Sequence, residues 1–221
     1  RTIIIMSKKI VITGGLGYIG TELCKIYSGV SWNNEILVID NRFISERVNQ
    51  LRNWNIDFVH GDILDKSLVN RYCKDADIVH HLAGITDVPR VKNESNVNKD
   101  SKIKLVAEQG TQNIIDAIGD KCKIIFPSTH VVYEGVEKVK SDILEDEDTK
   151  PILSYSSSKS INETQLKKSG KNYIILRLGS VYGYSTDTAR IDIMPNLFSK
   201  IASQNGALKL FAGGRQIKRL V

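Results

Sequence analysis

The sequence contains no long hydrophobic run: nothing approaches the roughly 18 consecutive apolar residues that a membrane span needs, so no membrane partner is expected. Ile3-Ile4-Ile5, inside the opening segment Arg1 to Met6, is too short for the core of a signal peptide. The first Met is residue 6, and residues 1–5 are kept out of the fold argument. Cysteine is scarce. Cys24, Cys73 and Cys122 lie far apart with no C-x-x-C pair, which excludes a disulfide framework and a zinc site. They read as buried apolar residues in a reducing compartment, so the expected location is cytoplasmic. Blocks of like charge are also missing. The net charge is +6, but the 31 Lys and Arg are scattered among acids such as Glu145-Asp146-Glu147-Asp148, which argues against a nucleic-acid partner. A mildly basic surface still suits a phosphorylated ligand. His60, His80, His81 and His130 give no metal-ligand spacing, and no metal is expected. No repeat of 20–50 residues is visible.

What is present is alternation. Near-continuous Ile/Val/Leu runs predict strands over 9–13, 35–39, 56–60, 77–82, 122–127 and 173–178. Between them, helical spacing covers 18–27, 45–54, 67–73, 102–118 and 155–168. Strands that are apolar on both faces and alternate with helices predict an α/β fold, with a doubly wound, Rossmann-type parallel sheet. Glu134 to Pro151 is long, charged and irregular, as loops that cover a site often are.

Ile10-Val11-Ile12-Thr13-Gly14-Gly15-Leu16-Gly17-Tyr18-Ile19-Gly20 runs from the first strand through a turn into the first helix. Glycines there permit a tight turn, let the backbone approach a pyrophosphate and let helix and strand pack closely, while the helix N-terminus faces the phosphates. The spacing predicts a dinucleotide site at Gly14, Gly17 and Gly20. Asp40 ends the second strand where an acid accepts hydrogen bonds from ribose hydroxyls, and its charge opposes a 2′-phosphate. That favours NAD over NADP. Arg42, a cation able to hold such a phosphate, pulls the other way.

Tyr155-Ser156-Ser157-Ser158-Lys159 places a phenol and an ammonium at i and i+4 on one helical face. A nearby cation favours the phenolate. Tyr155 is then positioned to exchange a proton with a substrate alcohol while hydride moves to a nicotinamide.

These elements occur in order with His81-Leu82-Ala83-Gly84, with Ser128-Thr129 before Val132-Tyr133, and with Arg177-Leu178-Gly179-Ser180-Val181-Tyr182-Gly183. Together they resemble the extended short-chain dehydrogenases/reductases, specifically the NAD-dependent epimerase/dehydratase family of nucleotide-sugar enzymes, over residues 8–221. The resemblance implies that Thr129 hydrogen-bonds the reacting substrate oxygen, that Tyr155 is the general base and acid, and that Lys159 binds the nicotinamide ribose and tunes the tyrosine. It assigns Asp62 and Ile63 to the adenine and Leu82, Ala83 and Gly84 to the length of the cofactor. Tyr18, Ile19, Asn41 and Leu178 join the cofactor set, and Thr86, Ser180, Gln216 and Lys218 the substrate set. His81 reads as packing rather than chemistry. By the same resemblance residues 7–178 form the NAD-binding domain, 179–221 begin a smaller substrate lobe that is incomplete, and the helices 102–118 and 155–168 pair in a homodimer.

Family dehydratases resemble Thr-Asp-Glu at the position of Thr129, because eliminating water needs an extra acid and base. Decarboxylating members carry Glu two residues on. Here His130 and Val131 follow, which leaves epimerisation through a transient ketone, or a keto-sugar reductase or dehydrogenase with net turnover. A non-catalytic dinucleotide-binding protein is the third alternative. Three departures touch the substrate and cofactor assignments: Ser180 replaces a common Asn, Lys218 stands at a usual Arg, and Ala107 replaces Asn in the stretch ending at Gly110-Thr111.

Overall fold

A computed structural model describes residues 7–30, 34–86, 97–137, 140–185 and 190–215. Its strands are β1 (Lys9–Thr13), β2 (Glu35–Asp40), β3 (Asp57–His60), β4 (Ile78–His81), β5 (Lys123–Thr129) and β6 (Asn172–Leu178). Its helices are α1 (Tyr18–Ser28), α2 (Ser45–Asn53), α3 (Lys66–Cys73), α4 (Val97–Ala117), α5 (Ser154–Lys168) and α6 (Met194–Ser203). The strands form one sheet in the order β3-β2-β1-β4-β5-β6, and every pair is parallel. The chain runs outward from β1 through β2 to β3, then returns to β4 on the other side. That reversal opens a crevice at the carboxyl ends of β1 and β4, where open α/β sheets bind ligands.

Strand alternation divides the core in two. Ile10, Ile12, Ile36 and Val38 face Cys24 of α1 and Val48 and Leu51 of α2. Val11, Leu37, Ile39, Val79, Ile124 and Phe126 face Val69 and Cys73 of α3, Ile114 and Ile115 of α4 and Leu166 of α5. All three cysteines are buried free thiols, and burial pushes Cys24 and Cys73 up to about 12 and Cys122 to about 11. On β6 the outward residues Ile174 and Leu176 remain about 40% exposed, so the sheet is less covered at this edge than at its centre.

The predicted alternation is found, with two differences. Helix α4 starts at Val97 rather than Lys102, because its first turns are polar and Val97 is 81% exposed, which hides the apolar period. Helix α6 was not expected, although Met194, Leu197, Phe198 and Ile201 keep helical spacing and Pro195 lies in its first turn. Among the described residues, no helix is long and apolar enough to cross a membrane.

Candidate active site

The β1–α1 turn is shaped by contacts that leave room for hydrogen only. Gly14 has φ +71°, its N–H donates to the Ile39 carbonyl at 2.7 Å, and a Cβ there would lie 2.7 Å from the Ala83 nitrogen. At Gly20 a Cβ would lie 2.6 Å from the Gly15 Cα, so this glycine sets how closely α1 approaches the turn. Gly17 differs: a Cβ there meets only the Gly14 carbonyl at 3.2 Å and the Arg42 guanidinium at 3.8 Å. Helix α1 begins at Gly17 without a side-chain cap and without an acid in its first turn. Its first amides, at Tyr18, Ile19 and Gly20, are therefore left for an anion, and the turn fits a dinucleotide pyrophosphate.

Around this turn, the carboxyl ends of the parallel strands bring the other candidates to one edge. Asp40 ends β2, is 5% exposed and accepts from the Leu16 N–H at 3.0 Å. Asn41 follows it and donates to Asp62 at 3.0 Å, linking the β2 and β3 ends. Ile63 turns its side chain into the core against α4, and its carbonyl accepts from Asn113 at 2.9 Å. At β4, Leu82 packs into the core beside α1 and α2, Ala83 N–H donates to Thr13 Oγ1 at 3.2 Å, and Gly84 has open space around its Cα. Thr13 Oγ1 also lies 3.0 Å from His81 Nδ1, and His81 Nε2 lies 2.9 Å from Thr111 Oγ1, so the imidazole is hydrogen-bonded on both sides. Burial, aided by the Lys159 charge, pushes His81 down to about 3, so it is a neutral strut between β1, β4 and α4.

Thr129 ends β5, is 8% exposed, and accepts from the Val131 N–H at 3.3 Å as the chain enters a 3-10 turn at His130–Tyr133. His130 Nδ1 donates to the Leu178 carbonyl at 3.1 Å, tying the β5 end to the β6 end. Tyr155 and Lys159 lie one turn apart on α5. The Lys159 ammonium donates to the Pro127 carbonyl at 2.8 Å and sits 4.4 Å from the Phe126 ring centre and 5.9 Å from that of Tyr155. Burial pulls this ammonium from 10.5 down to about 8, with Glu163 opposing. Burial also pushes the Tyr155 phenol up, and Arg190 pulls it partly back. The expectation that Lys159 lowers the tyrosine's pKa is not met: the net shift is upward, with burial its largest cause. Desolvation outweighs a cation whose direct partner is a carbonyl.

Two acids that the sequence reading passed over fix α5. One oxygen of Glu134 accepts from the N–H of Ile152 at 2.8 Å and of Leu153 at 2.7 Å, and from the Ser156 hydroxyl, so a residue from the far side of the loop caps the helix that carries Tyr155. The loop is pinned again by Gly135 N–H to the Lys150 carbonyl and Lys150 N–H to the Val132 carbonyl, each 2.8 Å. Glu134→Ala is expected to cost about 1–2 kcal/mol, read as a lower urea midpoint at unchanged slope; an unshifted midpoint would show the cap to be idle. Glu163, 2% exposed, accepts from Ser128 Oγ at 2.6 Å and from Arg177 Nη2 at 2.7 Å, while Arg177 also reaches the Tyr133 hydroxyl. Burial alone raises the Glu163 carboxyl, but Arg177, Ser128 and Lys167 together hold it below the usual range. An acid one turn beyond Lys159 on the same face was the available signal.

Toward the substrate side, Thr86 is exposed after β4 and Ser180 is half-buried after β6. The Tyr18 hydroxyl donates to the Gly183 carbonyl at 2.7 Å, joining the start of α1 to the chain that leaves β6. Gln216 and Lys218 lie outside the described residues. Among the described residues, no three His, Cys, Asp or Glu side chains gather to hold a metal ion.

A model of the NAD dependent epimerase/dehydratase family matches residues 10–221. The chain belongs to that family. Its members are NAD-dependent enzymes of the extended short-chain dehydrogenase/reductase type. The chain is 28% identical over 225 residues to a UDP-N-acetyl-alpha-D-glucosaminuronate decarboxylase of Bacillus cytotoxicus, covering 96% of itself and 67% of that protein. It is 32% identical over 144 residues to a CDP-paratose 2-epimerase of Salmonella typhi, covering 60% of itself and 40% of that protein. Among solved structures, it resembles a UDP-N-acetylglucosamine 4-epimerase from Methanobrevibacter ruminantium M1 with a TM-score of 0.78 at 24% identity, covering 98% of itself and 69% of that chain.

Proposed function

We propose that this family member is an NAD-dependent epimerase acting on a nucleotide-linked sugar through a transient keto intermediate. The observation that carries this reading is the end of β5. Thr129 is present there, but the next two residues are His130, which is spent on the Leu178 carbonyl, and Val131. No carboxylate follows Thr129 to drive elimination of water or loss of a carboxyl group. Hydride and proton exchange at one carbinol carbon is the chemistry these residues support.

In this reading Thr129 Oγ1 hydrogen-bonds the reacting sugar oxygen and Tyr155 takes its proton, returning it after the keto sugar has presented its other face. NAD, which the Gly14–Gly20 turn and Lys159 would hold, would supply the hydride acceptor when bound. Lys159, fixed by the Pro127 carbonyl, keeps further N–H donors for a ribose and holds positive charge behind Tyr155. Tyr155 is half-buried, and partial burial raises the pKa of its phenol.

Residues 179–221, on this reading, belong to the substrate lobe, and Thr86, Ser180, Gln216 and Lys218 are the residues assigned to the nucleotide sugar. A second copy of the chain packs against α4 and α5, where Leu105 is 54% and Ile161 38% exposed, and the protein works in the cytoplasm.

The test is incubation with UDP-glucose, UDP-N-acetylglucosamine and UDP-glucuronic acid without added dinucleotide. Appearance of an epimer, with no net change in nicotinamide absorbance, is the expected result. Strict dependence on added NAD(H), with stoichiometric oxidation or reduction, would overturn epimerisation in favour of a keto-sugar reductase or dehydrogenase.

A further inference from the structure

The ribose end of the cleft departs from the fingerprint that led to it. An ionised carboxylate offers about four acceptor positions. At Asp40 they are all engaged: Oδ1 accepts from the Arg42 N–H at 3.0 Å and Arg42 Nε at 3.2 Å, and Oδ2 from the Leu16 N–H at 3.0 Å and Arg42 Nη2 at 3.4 Å. The Asp40 side chain is 3% exposed, whereas that of Arg42 is 52% exposed. Two of the four donors are backbone amides, Leu16 within the Gly-rich turn and Arg42 just after β2, so the carboxylate is committed to joining these two segments and aiming the guanidinium.

Arg42 is the group left facing a ligand. Nε and one N–H of Nη2 are used on Asp40, and three guanidinium N–H donors remain. Nη2 lies 3.8 Å from where a Gly17 Cβ would be, beside the uncapped start of α1. An adenosine ribose entering there meets a cation whose counter-charge lies behind it. The repulsion expected between Asp40 and a 2′-phosphate is offset by this pairing, and a guanidinium accommodates phosphate oxygens two at a time.

We propose that Arg42, rather than Asp40, determines specificity at the adenosine ribose, and that the protein binds NADP(H) as well as NAD(H). The inference rests on the dinucleotide reading of the turn and is independent of epimerisation. Its test is titration of the full chain, freed of endogenous dinucleotide, with NADH and with NADPH, following nicotinamide fluorescence. The expected Kd values lie within about tenfold of each other; Arg42→Leu weakens NADPH by about tenfold or more and NADH by no more than about threefold, and Arg42→Lys falls between. A wild-type preference for NADH above about a hundredfold would mean that Arg42 swings away and frees Asp40 for the ribose hydroxyls, which overturns the inference. An equal loss of both cofactors in Arg42→Leu overturns it too. Binding of neither cofactor to the wild type would overturn the dinucleotide reading along with it.

Discussion

Tyr155→Phe is expected to lower kcat for nucleotide-sugar turnover by about a thousandfold, within the range for losing a positioned acid or base, while NADH affinity changes by less than about twofold. A thousandfold is about 4 kcal/mol of transition-state stabilisation. The separation follows from where the hydroxyl acts. In the proposed mechanism Tyr155 contributes a proton site to the reacting alcohol, whereas the Gly14–Gly20 turn, the start of α1 and Lys159 make the proposed dinucleotide cradle. Only one oxygen is removed, and the ring that packs near Lys159 is kept, so the fold has no reason to change. Lys159→Met is expected to act differently, weakening both turnover and NADH binding, because its ammonium bridges the Pro127 carbonyl and the neighbourhood of Tyr155. The pair of variants is read by steady-state kinetics and NADH titration. Turnover in Tyr155→Phe within tenfold of the wild type would remove Tyr155 from the proton transfer and with it the proposed mechanism.

The starting state of that proton transfer depends on burial as much as on neighbours. Burial raises Tyr155 and lowers Lys159 to about 8, so the phenol is protonated near neutral pH. Arg190, remote in sequence and paired with Asp192 at 2.9 Å, is the charge on this chain that pulls the phenol back. In the proposed mechanism, a positive charge brought close to the phenol would lower its pKa toward that of a working base.

Much of this was legible in the sequence because it follows from short-range pattern. Near-continuous apolar runs and the glycines at 14, 17 and 20 depend on neighbours a few residues away, and the i, i+4 relation of Tyr155 and Lys159 is fixed once α5 is a helix. The parts that were not legible join distant segments. Glu134 caps a helix entered at Leu153, and Ser128 meets Glu163 across the β5–α5 contact. The Thr13–His81–Thr111 chain crosses two strands and a helix. Asp40 shows the limit most clearly. Its place at the end of β2 was readable, but whether its oxygens are open or taken depends on the rotamer of Arg42, which no spacing rule contains. Ile63 is a similar case: the resemblance assigns it to the adenine, and the structure turns its side chain into the core.

The buried histidines carry the second large effect, a loss of fold stability in mild acid. Burial lowers His80 from 6.5 to about 4 and His81 from 6.5 to about 3. His80 Nε2 is held by the Tyr27 hydroxyl at 2.8 Å, and His81 spans Thr13 and Thr111, so neither imidazole has a carboxylate to welcome a proton. The unfolded chain takes up these protons once pH drops below about 6.5, while the folded chain does not until pH 4 or lower. Between those values the unfolded state binds more protons, so stability rises with pH and falls on acidification. Each histidine is expected to cost about 2 kcal/mol at pH 5 relative to pH 8, roughly 4 kcal/mol for the pair. The depressed Glu163 carboxyl adds its own loss only at lower pH, as its ion pair with Arg177 is protonated away. Urea midpoints measured at pH 8 and pH 5 report the difference. In His81→Asn, whatever its absolute stability, the pH-dependent part should shrink to about half, since one of the two titrating groups is gone. A wild-type midpoint that stays level from pH 8 to pH 5 would mean that both rings accept protons in place, and the Thr13–His81–Thr111 chain would then no longer fix a neutral imidazole beneath the cofactor turn.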